Sequence, residues 1–232
     1  MTRAQPIIAI DGPVGAGKST VARGLARALG FSYLNTGAMY RAVAIAAQDA
    51  GVDPAAPDLE ARLEPILRSI DIAFDGERIL LGGADVTRRA ADPAVGDLAS
   101  RLSAIGAVRA RMRELQRAAG AQGGVVMEGR DIGTAVFPDA EFKFFLDADV
   151  KVRARRRYAE LAARNPGVSF DEVLEQLRER DARDSSRALA PLKRAADAIA
   201  VDSTALDIPA VVNAIKEYIL AASNAGKGLK RS

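Results

Sequence analysis

Residues 12–19 read Gly12-Pro13-Val14-Gly15-Ala16-Gly17-Lys18-Ser19, with Thr20 next, directly after the apolar run Ile7–Ile10. The pattern G-x-x-x-x-G-K-S behind a strand signal is a phosphate-gripping loop. Glycines 12, 15 and 17 let the backbone curl so that successive N–H groups converge on phosphate oxygens. The helix expected to start near Gly17 adds the positive end of its dipole. Lys18 reaches the outer phosphates, and the Ser19 hydroxyl is a hard oxygen ligand for Mg²⁺.

Three further segments carry groups suited to a second, anionic ligand. Asn35-Thr36-Gly37-Ala38-Met39-Tyr40-Arg41 follows the second strand signal, at the sheet edge where α/β proteins bind ligands. Thr36 offers a hydroxyl there, or serves only as a helix N-cap; Arg41 offers a planar cationic fork. Glu128-Gly129-Arg130-Asp131-Ile132-Gly133-Thr134 follows the strand signal Val125–Met127. A carboxylate at such a strand end is placed to hold Mg²⁺ through water, while Arg130 and Asp131 also read as an ion pair. The third segment contains Arg178, Arg180, Asp181, Arg183, Asp184 and Arg187, preceded by Arg153, Arg155, Arg156 and Arg157. Helical spacing puts Arg180, Asp184 and Arg187 near one face and Arg153 and Arg157 on another. These are either surface pairs or cations that close over a transferring phosphate.

Composition narrows the chemistry. The 232 residues include no His and no Cys, so imidazole bases, His- or Cys-ligated zinc, thiolate nucleophiles and disulfides are excluded. Catalysis has to rest on carboxylates, Lys, Arg, backbone amides and an oxygen-held metal. The net charge of +3 suits a small anionic ligand and is too weak to argue for nucleic acid. Ile7–Ile10 is too short for a secretory apolar segment, and no stretch approaches a membrane span, so the expectation is a cytoplasmic protein with no membrane partner.

The elements that must position these residues follow from hydrophobic patterning. Five continuous apolar runs, Ile7–Ile10, Phe31–Leu34, Val125–Met127, Phe142–Leu146 and Ala198–Val201, predict strands buried on both faces of one parallel sheet. Helical periodicity is clearest over 18–29, 38–49, 105–119, 150–163, 170–182 and 209–222. Gly30 is a natural stop for the first helix. Between residues 62 and 103, Asp75-Gly76 separates two strand-like runs, a hairpin signal, and 82–87 predicts a third strand. Residues 150–187 read as two charged helices joined by Asn165-Pro166-Gly167. Periodicity alone favours a solvated surface pair over a cover for the loop. The tail 223–232 has no apolar period and predicts fraying.

Taken in order, these motifs make the chain resemble the cytidylate kinase family of nucleoside monophosphate kinases over about residues 5–222. The resemblance rests on Ile10-Asp11 through Thr20, on 36–41, on Glu128 through Pro138, on Arg180-Asp181, Arg183-Asp184 and Arg187 through Leu192, and on Asp202-Ser203-Thr204. It implies a three-layer phosphate-loop NTPase fold with a five-stranded parallel sheet, a small antiparallel insertion that binds the monophosphate, and a short helical lid. The core would comprise 1–35, 104–149 and 188–222, the monophosphate region 36–103 with its insertion at about 62–103, and the lid 150–187.

The resemblance implies ATP and Mg²⁺ as cofactors, CMP and dCMP as substrates, and a monomer. It assigns residues 12–20 to ATP, Ser19 and, through water, Glu128 to the metal, and Lys18, Arg130, Arg157 and Arg187 to catalysis, with Arg153 assisting from the lid. Ser100 and Arg109 would donate to the base and Asp131 accept from its amine. Thr36, Arg41, Arg130 and Arg187 would hold the acceptor phosphate, and Arg180 and Asp184 the sugar. Two positions depart from the family pattern: Asn35 and Glu128 each stand where many members have Asp.

Overall fold

The computed structural model describes residues 3–163 and 167–228. Asn165 and Pro166 of the expected inter-helix link, and the end of the tail from 229, lie outside the described residues. The chain divides into two compact units, Met1–Leu34 with Gly120–Ser232, and Asn35–Ala119.

The larger unit is built on β1 (Ile7–Asp11), β2 (Ser32–Asn35), β6 (Val125–Gly129), β7 (Phe142–Asp147) and β8 (Ile199–Asp202) in the order β2-β6-β1-β7-β8. β1 runs parallel to β6 and β7, and β7 parallel to β8. Ile8 and Ile10 of β1 face a core shared with α1 (Lys18–Leu29) and α9 (Ile208–Gly228), where Leu25, Val126, Phe144, Leu146, Val211 and Ile215 interlock. Ile7 and Ala9, which alternate to the opposite face, are equally buried. This two-sided burial explains why the runs are continuous. Gly30 ends α1 in the left-handed conformation expected of a helix stop. α9 continues through Gly228, beyond the point where the apolar period stops at 222.

α7 (Val150–Ala162) and α8 (Phe170–Ser186) belong to the same unit. α8 opens with a capping box, Ser169 reciprocated by Glu172. The two helices are not merely solvated. Ala154, Val173, Leu174 and Leu177 form a small core of their own, edged by Tyr158, Phe170 and, from the phosphate loop, Val14.

In the smaller unit, β3 (Ile72–Asp75), β4 (Arg78–Leu81) and β5 (Ala84–Asp85) make the expected antiparallel sheet around the Asp75-Gly76 turn. The third strand is shorter than 82–87, with only two residues pairing. The rest is helical: α2 (Thr36–Asp49), α3 (Leu59–Ser69), α4 (Thr87–Ala90), α5 (Pro93–Leu102) and α6 (Gly106–Gly120). α3 and α5 were not evident from periodicity. α3 carries Pro65 in its interior and α5 carries Gly96, both poor helix formers. α5 is set instead by its start, where Asp92 caps the Ala94 N–H and Pro93 occupies the first turn. A Cβ at Gly96 would make only ordinary contact with the Arg41 guanidinium, at 3.8 Å. Among the described residues, no helix is long and apolar enough to cross a membrane.

Candidate active site

The phosphate loop is the turn from β1 into α1. Gly12 has φ +149°, and a Cβ on it would lie 1.9 Å from the Leu146 carbonyl oxygen, so no other residue fits. Gly17 caps α1 at φ +89°. Lys18 is 5% exposed and donates to the Pro13 carbonyl at 2.7 Å, inside its own loop. Burial, followed by the nearby Arg130 and Arg180, lowers its pKa to about 7, against the pull of Glu128 and Asp11.

Two braces hold the loop from behind. The one Ser203 hydroxyl proton is shared between the carbonyls of Ala16 and Asp147, each 3.1 Å from Oγ, and Arg156 donates to the Ser203 carbonyl. Arg153 donates to Val14 O at 3.1 Å, to Ala148 O at 2.9 Å and to Asp181 at 2.7 Å. Arg153, expected to assist Arg157 from the lid, thus ties α7 and α8 to the loop. Arg157, on the same helix, pairs with Glu160.

The end of β6 supplies the next groups. Glu128 is buried and accepts from the Tyr33 hydroxyl at 2.7 Å. Asp131 precedes a single π-helical turn, residues 132–136, a distortion often found at functional sites. The turn is tied to β1 by Asp11, whose two carboxylate oxygens accept the N–H groups of Ile132 and Gly133, each at 2.8 Å. Burial raises the Asp11 carboxyl to about 6, despite those two bonds.

The Arg130 guanidinium reaches across to α8, where its Nε meets Asp184 Oδ2 at 2.9 Å. The other oxygen of Asp184 bonds Arg187. Asp184 is 1% exposed. Burial pushes its carboxyl up, but Arg130, Arg187 and Arg180 together outweigh burial and hold it below the usual carboxylate range. The larger unit therefore gathers Arg130, Arg180 and Arg187 around one internal anion, with Arg130 and Arg180 also close to Lys18. That is an excess of positive charge suited to more than one phosphate group.

In the smaller unit, Asn35 rather than Thr36 is the cap of α2, accepting from the Ala38 N–H at 3.0 Å. Thr36 is the first helical residue and is 3% exposed. Arg41 donates to Ala90 O at 3.1 Å. Ser100 is 4% exposed, and its hydroxyl has no hydrogen-bond partner among the described residues. Ser103 links it to Arg109: the Ser103 hydroxyl donates to Ser100 O at 2.7 Å, and the Ser103 carbonyl accepts from Arg109 at 3.1 Å. Arg109 also lies over the Tyr40 ring.

Asp11, Tyr33, Ser103 and Ser203, which hydrogen-bond the candidate site residues or the loop, carried no signal in the sequence, because the partners of Asp11, Tyr33 and Ser203 are distant in the chain.

A sheet with the phosphate loop after its first strand, a buried loop lysine and a cluster of arginines defines a phosphate-loop NTPase. The family model for cytidylate kinase matches residues 8–221. The chain belongs to that family and is an enzyme, a kinase. It is 48% identical over 217 residues to a cytidylate kinase of Geobacter sp. (strain M21), covering 92% of each chain. It is 50% identical over 213 residues to one of Pelotomaculum thermopropionicum, covering 90% of this chain and 94% of the relative. Among solved structures it is similar to a shikimate kinase from Acinetobacter baumannii, at TM-score 0.46 and 18% identity, covering 95% of this chain and 96% of that one.

Proposed function

We propose that this kinase transfers the γ-phosphoryl group of ATP to CMP and dCMP, giving ADP with CDP or dCDP. The observation that carries the reading is the gathering of Lys18, Arg130, Arg180 and Arg187 beside the phosphate loop, with Asp184 between two of the arginines. The acceptor phosphate oxygen is already anionic near neutral pH, so no strong general base is needed, in keeping with a chain without His. The barrier to overcome is repulsion between two anions. The cations reduce that repulsion and hold the acceptor oxygen in line with the γ-phosphorus.

The oxygen donors fit Mg²⁺. Among the described residues there is no group of three or more acidic ligands that forms a metal cage. The ion would come with the triphosphate, held by Ser19 and, through water, by Glu128. When bound, it supplies charge neutralisation on the β- and γ-phosphate oxygens.

For the acceptor, Ser100 and Arg109 donate to the ring acceptors of cytosine, and Asp131 accepts from its exocyclic amine. Uracil has a carbonyl in place of that amine and would face a carboxylate. The unpartnered Ser100 hydroxyl supports this assignment, since a buried hydroxyl without a partner is costly unless a ligand completes it. Thr36, Arg41, Arg130 and Arg187 receive the acceptor phosphate, with Arg180 and Asp184 at the sugar and Arg157 at the transferring group. Residues 36–103 act as the monophosphate region and 150–187 as a lid that excludes water. In this reading the enzyme is a cytoplasmic monomer acting on small nucleotides, not on nucleic acid or membranes.

A panel of CMP, dCMP, UMP, AMP, dTMP and shikimate with ATP–Mg²⁺, read as ADP formation, tests the proposal. Stimulation by the cytidine nucleotides is expected. Turnover with another acceptor alone, or hydrolysis indifferent to acceptor, refutes it.

A further inference from the structure

A serine at the end of a phosphate loop ligates a cation only when its hydroxyl is turned correctly. The group has one proton and two lone pairs, and the proton has to point away from the metal. Tyr33 of β2 provides the direction. Its hydroxyl donates to Glu128 Oε1 at 2.7 Å, and the Ser19 hydroxyl bonds the same phenol. A carboxylate accepts, so the Tyr33 proton is committed to Glu128, and the phenol oxygen has only lone pairs left for Ser19. Ser19 must therefore donate, and its own lone pairs face away from β2. The Tyr33 ring is held by its packing on the central core and by the Arg23 guanidinium, 5.8 Å from its centroid.

We propose that Tyr33 is a positioning residue for the metal that accompanies ATP: it couples Ser19 and Glu128 in one directional hydrogen-bond chain and presents both to Mg²⁺. This rests on the assignment of ATP–Mg²⁺ to the loop.

Tyr33→Phe keeps the ring and removes the oxygen. The test is equilibrium binding of a fluorescent ATP analogue, measured with Mg²⁺ and again with EDTA, in wild type and variant. The gain in affinity that Mg²⁺ confers should shrink about tenfold in the variant, the usual size of an outer-shell effect on metal affinity. Affinity in EDTA should stay within about twofold, as should CMP binding. In a double-mutant cycle with Glu128→Gln, the two losses should be less than additive. An unchanged Mg²⁺ gain, an equal loss in EDTA, or strict additivity overturns the proposal. So does a Tyr33→Phe protein that no longer folds, since the phenol would then serve the sheet. Wild-type protein that binds no ATP at all sinks instead the function proposed above.

Discussion

Asp184 Oδ2 and Arg130 Nε meet at 2.9 Å although 54 residues separate them in the chain. The contact joins the end of α8 to the end of β6, and Arg187 takes the other carboxylate oxygen. One buried anion thus separates two cations that would otherwise repel. Asp184→Ala should remove the anion that both guanidinium groups share, a loss of roughly 3–5 kcal/mol. For a chain of this size the thermal midpoint should fall by at least about 6 °C. The pH dependence has a definite sign. The Asp184 carboxyl lies below its ordinary value in the folded state, so its contribution is complete above the unfolded carboxylate pKa near ~4 and is lost as pH falls through the lower folded value. Melting curves of wild type and variant should differ most above about pH 5 and converge in stronger acid.

Ser100 should show opposite effects on stability and binding. Its hydroxyl is buried without a partner among the described residues, so Ser100→Ala removes a desolvated group rather than a bond. The variant should be no less stable than wild type, and up to about 1 kcal/mol more stable. Its KM for CMP should rise about three- to tenfold, the worth of one hydrogen bond. A KM equal to wild type would remove Ser100 from the base-reading set.

Asp131→Ala tests the other half of that set. A carboxylate accepting from the cytosine amine contributes about 1–3 kcal/mol of discrimination. The ratio of kcat/KM for CMP over UMP should therefore fall about 5- to 150-fold, with ATP binding unchanged. If the variant rejects UMP as strongly as before, Asp131 does not read the amine.

The sheet strands and the phosphate loop were legible because each is a local pattern: a continuous apolar run, or a fixed spacing of Gly, Lys and Ser. α3 and α5 were not, since Pro65 and Gly96 break helical propensity and the helices form on tertiary packing and on the Asp92-Pro93 start. The site was legible in its residue types more than in its pairings. Arg130 and Asp131 are adjacent and read as an ion pair; the bond of that guanidinium to Asp184 of α8 and the π-helical turn that follows Asp131 had no local signal. The Asp11 tether to that turn spans 121 residues, and no local spacing announces it. Asn35 took the capping role that the pattern offered to Thr36, because a side chain one position earlier can reach the Ala38 N–H.

Lys18 links the site to pH. Its ammonium is buried and close to Arg130, and its pKa falls to about 7 from an ordinary ~10.4. Between those two values the unfolded chain holds the proton more firmly. The stability of the nucleotide-free protein should therefore rise with pH through that window as far as this group governs it. Triphosphate reverses the preference, because anionic oxygens favour the charged amine. At pH 8 the free lysine is mostly neutral, so ATP binding should draw in close to one proton. Calorimetry in buffers of different ionisation enthalpy measures that uptake. Lys18→Ala should abolish the uptake and lower turnover by about 10²–10³, the usual loss when one charge-stabilising donor is removed. It should not lower stability, since the substitution removes a desolvated ammonium. Proton release on binding, or the same uptake in the variant, would mean that Lys18 is already charged in the empty loop and that its burial does not tune it.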